Sequence, residues 1–166
     1  MNKLILIFTI LLLGALAQSA DAQESEISTP AEVENNSLHD FSSDGCSMSP
    51  DGSILLFKTE FVPCCVQHDV AYWQGGTAAE KLTADKNLRT CIAEKSKSNF
   101  IANVYYRGVR MGGGASLPTS FHWGYGWEKR RHYEPLSEEQ KQIAQEKLEH
   151  VNWVQIYSSL GIDLVN

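Results

Sequence analysis

The spacing of apolar and polar positions changes several times along this chain, and each change marks an expected element. Leu4 to Leu16 is a nearly unbroken apolar run. Residues 23 to 40, QESEISTPAEVENNSLHD, are polar and acidic with almost no periodic apolar positions, the pattern of a flexible leader. Residues 45 to 52, GCSMSPDG, are dense in turn formers around one cysteine. Pro63 suits the first turn of a helix, where its missing amide proton costs little. That helix runs to about Trp73 and stops at Gly75-Gly76. Thr77 and Glu80 form a capping box that opens a second helix, Ala78 to about Lys95. So short a glycine turn predicts antiparallel packing of the two. Phe100 to Met111, with Ile101, Val104, Tyr105 and Val109, reads as a third helix closed by Gly112-Gly113-Gly114. Ser137-x-x-Gln140 caps a last amphipathic helix carrying Ile143, Ala144, Leu148, Val151 and Val154 on one side. Strand signals are weak and no internal repeat is visible. The expected fold class is mainly α: two antiparallel helices plus additional C-terminal helices.

The N-terminal pattern adds a compartment. Lys3, the apolar run and the small residues of Ala15-Leu16-Ala17 or Ala20-Asp21-Ala22 read together as a secretory signal peptide over residues 1–22. The run is shorter than the roughly 20 residues of a spanning helix, and no cysteine stands at the cleavage region to take a lipid. The expected division is therefore a signal peptide (1–22), an acidic leader (23–40) and one domain (41–166). The expected product is a secreted or periplasmic protein with no transmembrane anchor after cleavage. The net charge of −6 gives no basic surface for a nucleic-acid partner. All four cysteines, Cys46, Cys64, Cys65 and Cys91, follow the leader, and an even count in an oxidising compartment predicts two disulfides. Zinc held by three of these cysteines and His68 is the competing reading. The adjacent pair and the compartment argue against it.

Chemistry concentrates on the first two helices. Cys65, His68, Asp69 and Tyr72 stand at i, i+3, i+4 and i+7 and share one helical face. On the second helix Leu82, Asp85, Leu88 and Ile92 share a stripe bordered by Cys91, so Asp85, the one carboxylate on an otherwise apolar face, is expected to point at the first helix. Burying it without a partner costs several kcal/mol. His68 is the expected partner: a carboxylate that accepts one ring N–H fixes the tautomer and leaves the other nitrogen free as a base. Asp69 is expected to face the Cys46 loop, where an acidic side chain beside turn carbonyls suits a hard cation such as Ca²⁺.

The stretch Cys64-Cys65-Val66-Gln67-His68-Asp69-Val70-Ala71-Tyr72 resembles the helix signature of the secreted phospholipase A2 superfamily, Cys-Cys-x-x-His-Asp-x-x-Tyr, at every specified position. Asp85, six residues before Cys91, and Gly45 beside Cys46 match two further features of that family. The likeness covers roughly residues 44 to 92. It implies disulfides joining Cys46 to Cys65 and Cys64 to Cys91, and it leaves out a third family bridge whose two positions are Ala71 and Ala84. It implies a calcium-binding-type loop with Asp69 and the carbonyls of Gly45, Ser47 and Ser49 as ligands, and Asp44 or Asp51 as extra ones. It implies His68 as the catalytic base, Asp85 as its orienting partner and Tyr72 as a support. The implied substrate is a phospholipid, met at a membrane surface. The family's loop carries glycines after its cysteine where Ser47 and Ser49 stand here, and the stretch from Cys46 to Cys65 is longer. The alternative function is therefore a catalytically inactive scaffold that binds a lipid or protein partner.

Trp123-Gly124-Tyr125-Gly126-Trp127, followed by the basic run Lys129 to His132, is the other conspicuous segment. Aromatic packing across a glycine-rich loop is its preferred reading, and a lipid-facing surface is the other one.

Overall fold

The computed structural model describes residues 37–46 and 59–164. The expected signal peptide, the leader up to residue 36, and Ser47, Ser49 and Asp51 lie outside the described residues. A 3-10 turn, Thr59–Phe61, leads into helix α1 (Val62–Gln74). It is followed by α2 (Ala78–Ser96), α3 (Asn99–Gly112), α4 (Glu138–Glu149) and α5 (Trp153–Ser159). Among the described residues the only β pairing is an isolated antiparallel bridge between Leu38 and Trp127. The fold is mainly helical, and none of the described helices is long and apolar enough to cross a membrane.

Local chemistry sets the boundaries. Pro63 falls in the first turn of α1. At the start of α2 the Thr77 hydroxyl accepts the Glu80 amide at 3.2 Å while the Glu80 carboxylate accepts the Thr77 amide at 2.7 Å, the reciprocal capping box expected from the sequence. Ser98 caps α3, and Ser137 with Gln140 forms a second box at α4. The predicted single last helix is two. It stops at Glu149 and restarts at Trp153, where the Asn152 side chain accepts the Gln155 amide. Val154 consequently leaves the buried side and is 49% exposed.

Helix α1 is buried on several sides, which explains why its apolar residues do not form one stripe. Val62, Val66 and Trp73 pack with Phe41, Trp127 and Ala144. Cys64 and Cys65 pack with Leu88, Ile92, Ala102 and Tyr105, joining α1 to α2 and α3. Tyr72 packs with Ala84, Ala115 and Trp123, and Ala71 lies against the same cluster. Two disulfides tie these contacts: Cys46 to Cys65, with Cα atoms 5.4 Å apart, and Cys64 to Cys91, 5.8 Å apart. With all four cysteines paired, no thiolate remains for zinc.

The aromatic segment closes the C-terminal end of α1. A helix leaves its last carbonyls without intrahelical partners, and here a remote loop supplies them. Tyr72 O accepts the Gly124 amide at 2.6 Å, Trp73 O accepts the Gly126 amide at 3.1 Å, and Gln74 O accepts the Trp127 indole N–H at 2.6 Å. The approach requires glycine at position 75, where a Cβ would stand 2.8 Å from the Gly124 Cα, and both Gly75 and Gly124 adopt positive φ, +73° and +80°. Trp123 and Trp127 are 1% and 4% exposed, so they are packing residues and not a lipid-facing surface. The same loop holds residues 37–43. His39 N donates to Gly126 O, Glu128 N donates to Ser37 O, and the Tyr125 hydroxyl donates to Ser42 O at 2.6 Å. The expected leader is therefore too long at its C-terminal end. Leu38 is only 4% exposed and belongs to the core, because its pairing with Trp127 carries it inward.

Candidate functional site

The contacts that build the core also gather the sequence-selected polar residues. His68, Asp69 and Tyr72 lie on the buried face of α1, with Asp85 opposite them on α2. His68 Nε2 is 3.0 Å from Asp85 Oδ1, and the Tyr72 hydroxyl donates to the same oxygen at 2.7 Å. Because an ionised carboxylate only accepts, the ring proton of neutral His68 resides on Nε2 and the Nδ1 lone pair is left open. Nδ1 faces Asp69 Oδ1 at 3.8 Å, beyond direct hydrogen-bond distance.

Asp85 has more partners than the sequence reading gave it. Its Oδ2 accepts from Lys81 Nζ at 2.9 Å and from Arg110 Nη1 at 3.0 Å. The stripe around Asp85 is therefore not otherwise apolar: Lys81 is 2% exposed. The Lys81-x-x-x-Asp85 spacing was the available signal, since residues four apart on a helix are neighbours. Arg110 comes from α3 and carried no local signal. Burial alone would raise the Asp85 carboxyl, but the hydrogen bonds from His68, Tyr72, Lys81 and Arg110 outweigh it and hold the group well below the usual carboxylate range. Burial disfavours the charged His68 ring, and the flanking carboxylates Asp69 and Asp85 outweigh that, raising its pKa above the ordinary histidine value. Burial and the adjacent Asp85 charge push the Tyr72 phenol far up, so it stays protonated.

Asp69 belongs to a second environment. Ser43 donates to its Oδ2 at 2.6 Å and also accepts the Gly45 amide at 3.0 Å, fixing the chain before Cys46 against α1. Ser43 was not singled out from the sequence; only its neighbour Asp44 was. Burial raises the Asp69 carboxyl above its ordinary value, and the Asp44 charge adds to this against the opposing influence of the nearby His68 ring and the Ser43 hydrogen bond. Asp44, Gly45 and the buried Asp69 line one cleft, and carboxylate oxygens are the donors a hard divalent cation would take. Among the described residues no group of three or more His, Cys, Asp or Glu side chains is arranged as a metal centre. A cation here would accordingly take most of its ligands from backbone oxygens.

Both environments open into one cleft. Asp44, Gly45, His68 and Asp69 line its polar end, and Leu88, Tyr105, Val109 and Phe121 line the apolar remainder together with the Cys46 to Cys65 bridge. Comparison of the chain with protein-family models, with curated proteins and with solved structures gives no match.

Proposed function

We propose that this chain is an exported, calcium-dependent phospholipase A2-like esterase that hydrolyses an acyl ester of a glycerophospholipid at a membrane surface. The observation that carries the reading is the His68 ring, with Nε2 committed to the fully buried Asp85 and Nδ1 open beside Asp69. A nitrogen so prepared takes a proton from a water as that water attacks the ester carbonyl, and returns it to the departing alkoxide. The products are a free fatty acid and a lysophospholipid, and no acyl-enzyme forms. Asp85 holds the tautomer and offsets the positive charge that develops on the ring. Tyr72 supports Asp85 and does not itself exchange a proton.

Asp69, Asp44 and the carbonyls of Gly45, Ser47 and Ser49 are the residues that would hold Ca²⁺. When bound, the ion supplies Lewis-acid polarisation of the ester carbonyl and charge for the oxyanion. The apolar wall of Leu88, Tyr105, Val109 and Phe121 suits an acyl chain entering beside His68. The antiparallel arrangement of α1 and α2 is supported by contacts that run in opposite directions along the two helices: Cys64 with Cys91, His68 with Asp85, and Tyr72 with Lys81.

Calorimetric titration with calcium tests the division of labour between the two aspartates. Asp69→Asn is expected to lose calcium binding, because the amide removes the charge a divalent cation requires. Asp85→Asn is expected to keep it. If both variants bind calcium like the parent, Asp69 is not a ligand. If the parent binds none, the inactive scaffold becomes the better reading.

A further inference from the structure

A buried lysine is rare unless paired, and Lys81 is more than paired. Its ammonium donates to Asp85 Oδ2 at 2.9 Å and to Val109 O at 3.4 Å, and it lies 4.8 Å from the centre of the Tyr72 ring. Arg110 reaches the same Oδ2 from α3 at 3.0 Å. A carboxylate offers about four acceptor positions, two on each oxygen, and all four are used: His68 and Tyr72 on Oδ1, Lys81 and Arg110 on Oδ2. Either cation alone would neutralise Asp85. Two on the oxygen turned away from His68 do something different, because they fix the plane of the carboxylate about its own bond to the backbone side.

We propose that Lys81 and Arg110 are positioning residues that clamp Oδ2 of Asp85 so that Oδ1 is presented to His68 Nε2–H. The proposal rests on the hydrolytic reading of His68 and deepens it. With Oδ2 held from two helices, the carboxylate cannot swing to share its oxygens differently, and the ring proton is confined to Nε2. The cations also keep Asp85 ionised, so it accepts a hydrogen bond from His68 without taking its proton.

The test uses the full exported chain with calcium present, comparing Lys81→Met, Arg110→Met and Arg110→Lys with the parent. Fatty-acid release from phospholipid vesicles gives kcat and KM. Nitrogen-15 NMR shifts of the His68 ring, taken at one pH where the ring is neutral, report which nitrogen carries the proton. Misplacing a catalytic group by a fraction of an ångström is costly, so Lys81→Met and Arg110→Met are each expected to lower kcat by about tenfold or more with KM little changed. The His68 signals are expected to move from a single Nε2–H tautomer toward a mixture, and Arg110→Lys to restore most of both. Arg110 has a side chain 41% exposed, so its variants retain the fold even if Lys81→Met does not. Unchanged kcat and an intact single tautomer in Arg110→Met, with only a lowered melting temperature, would overturn the proposal and leave a structural ion pair. If the parent releases no fatty acid, the hydrolytic reading fails separately, and the tautomer measurement alone decides the clamp.

Discussion

Asp85→Asn removes one charge at nearly constant volume, so it isolates the electrostatics of the buried cluster. The Asp85 side chain is fully buried and that of Lys81 is 3% exposed. In the variant the Lys81 ammonium loses its charged partner and keeps a neutral amide oxygen, the Val109 carbonyl at 3.4 Å and the face of Tyr72. Breaking a buried ion pair by removing one partner costs about 3–5 kcal/mol. Arg110 is 41% exposed and can turn to water, so it adds little to that figure. Burial already lowers the Lys81 pKa, and partial deprotonation relieves some of the cost. The expected loss at neutral pH is therefore about 3 kcal/mol, the lower end of the range. The sign of the pH dependence follows from the depressed Asp85 pKa. Such a group contributes stability that is fully present above the unfolded carboxylate value of about 3.9 and is lost as pH falls through the folded value. The gap between parent and variant should accordingly narrow on acidification below about pH 4. Urea unfolding of the oxidised proteins, followed by tryptophan fluorescence from about pH 7 to about pH 3, measures it. A loss under about 1 kcal/mol at neutral pH, the scale of a surface pair, or a gap independent of pH would refute the reasoning.

Two further outcomes follow from the same packing. Gly113→Ala places a methyl group 2.6 Å from the Tyr72 hydroxyl and 2.8 Å from Val109 O, so a loss of about 1–3 kcal/mol in a thermal melt is expected. Hydrolysis should fall with it, because Tyr72 is displaced from Asp85; a variant with unchanged melting and activity would contradict this. Trp123→Phe leaves the Gly76 carbonyl without its 2.6 Å indole donor and is expected to cost about 1–3 kcal/mol in the same assay, whereas an unchanged melt would show that the bond contributes nothing.

What was legible in the sequence is what short-range chemistry encodes. Thr77 with Glu80, Pro63 and the Gly75-Gly76 stop lie within a turn or two of the boundaries they set, and helices α1 to α3 begin and end within about two residues of expectation. The meeting of His68 with Asp85 was legible because each stood out on its own helix face. Lys81 was missed because a lysine in a helix reads as solvated, and its burial comes from tertiary neighbours, Tyr72 on α1 and Val109 on α3. Arg110 and Ser43 reach the site through contacts 25 and 26 residues apart in sequence, which no local pattern reports. The long loop after α3 showed its aromatic character, but which helix end it closes depends on the three-dimensional path of Gly124 and Gly126. The break between α4 and α5 escaped because the apolar spacing continues through Val154 while the Asn152 cap interrupts the backbone.

The most direct measurement is fatty-acid release from mixed phospholipid vesicles by the oxidised parent and by His68→Gln, each with calcium and then with chelator. The account predicts release by the parent only with calcium, and a rate about 10²–10⁴-fold lower in His68→Gln. The urea midpoint of the variant should stay close to the parent's. Release that survives either chelation or the loss of the imidazole would contradict it, as would a parent that releases no fatty acid in calcium.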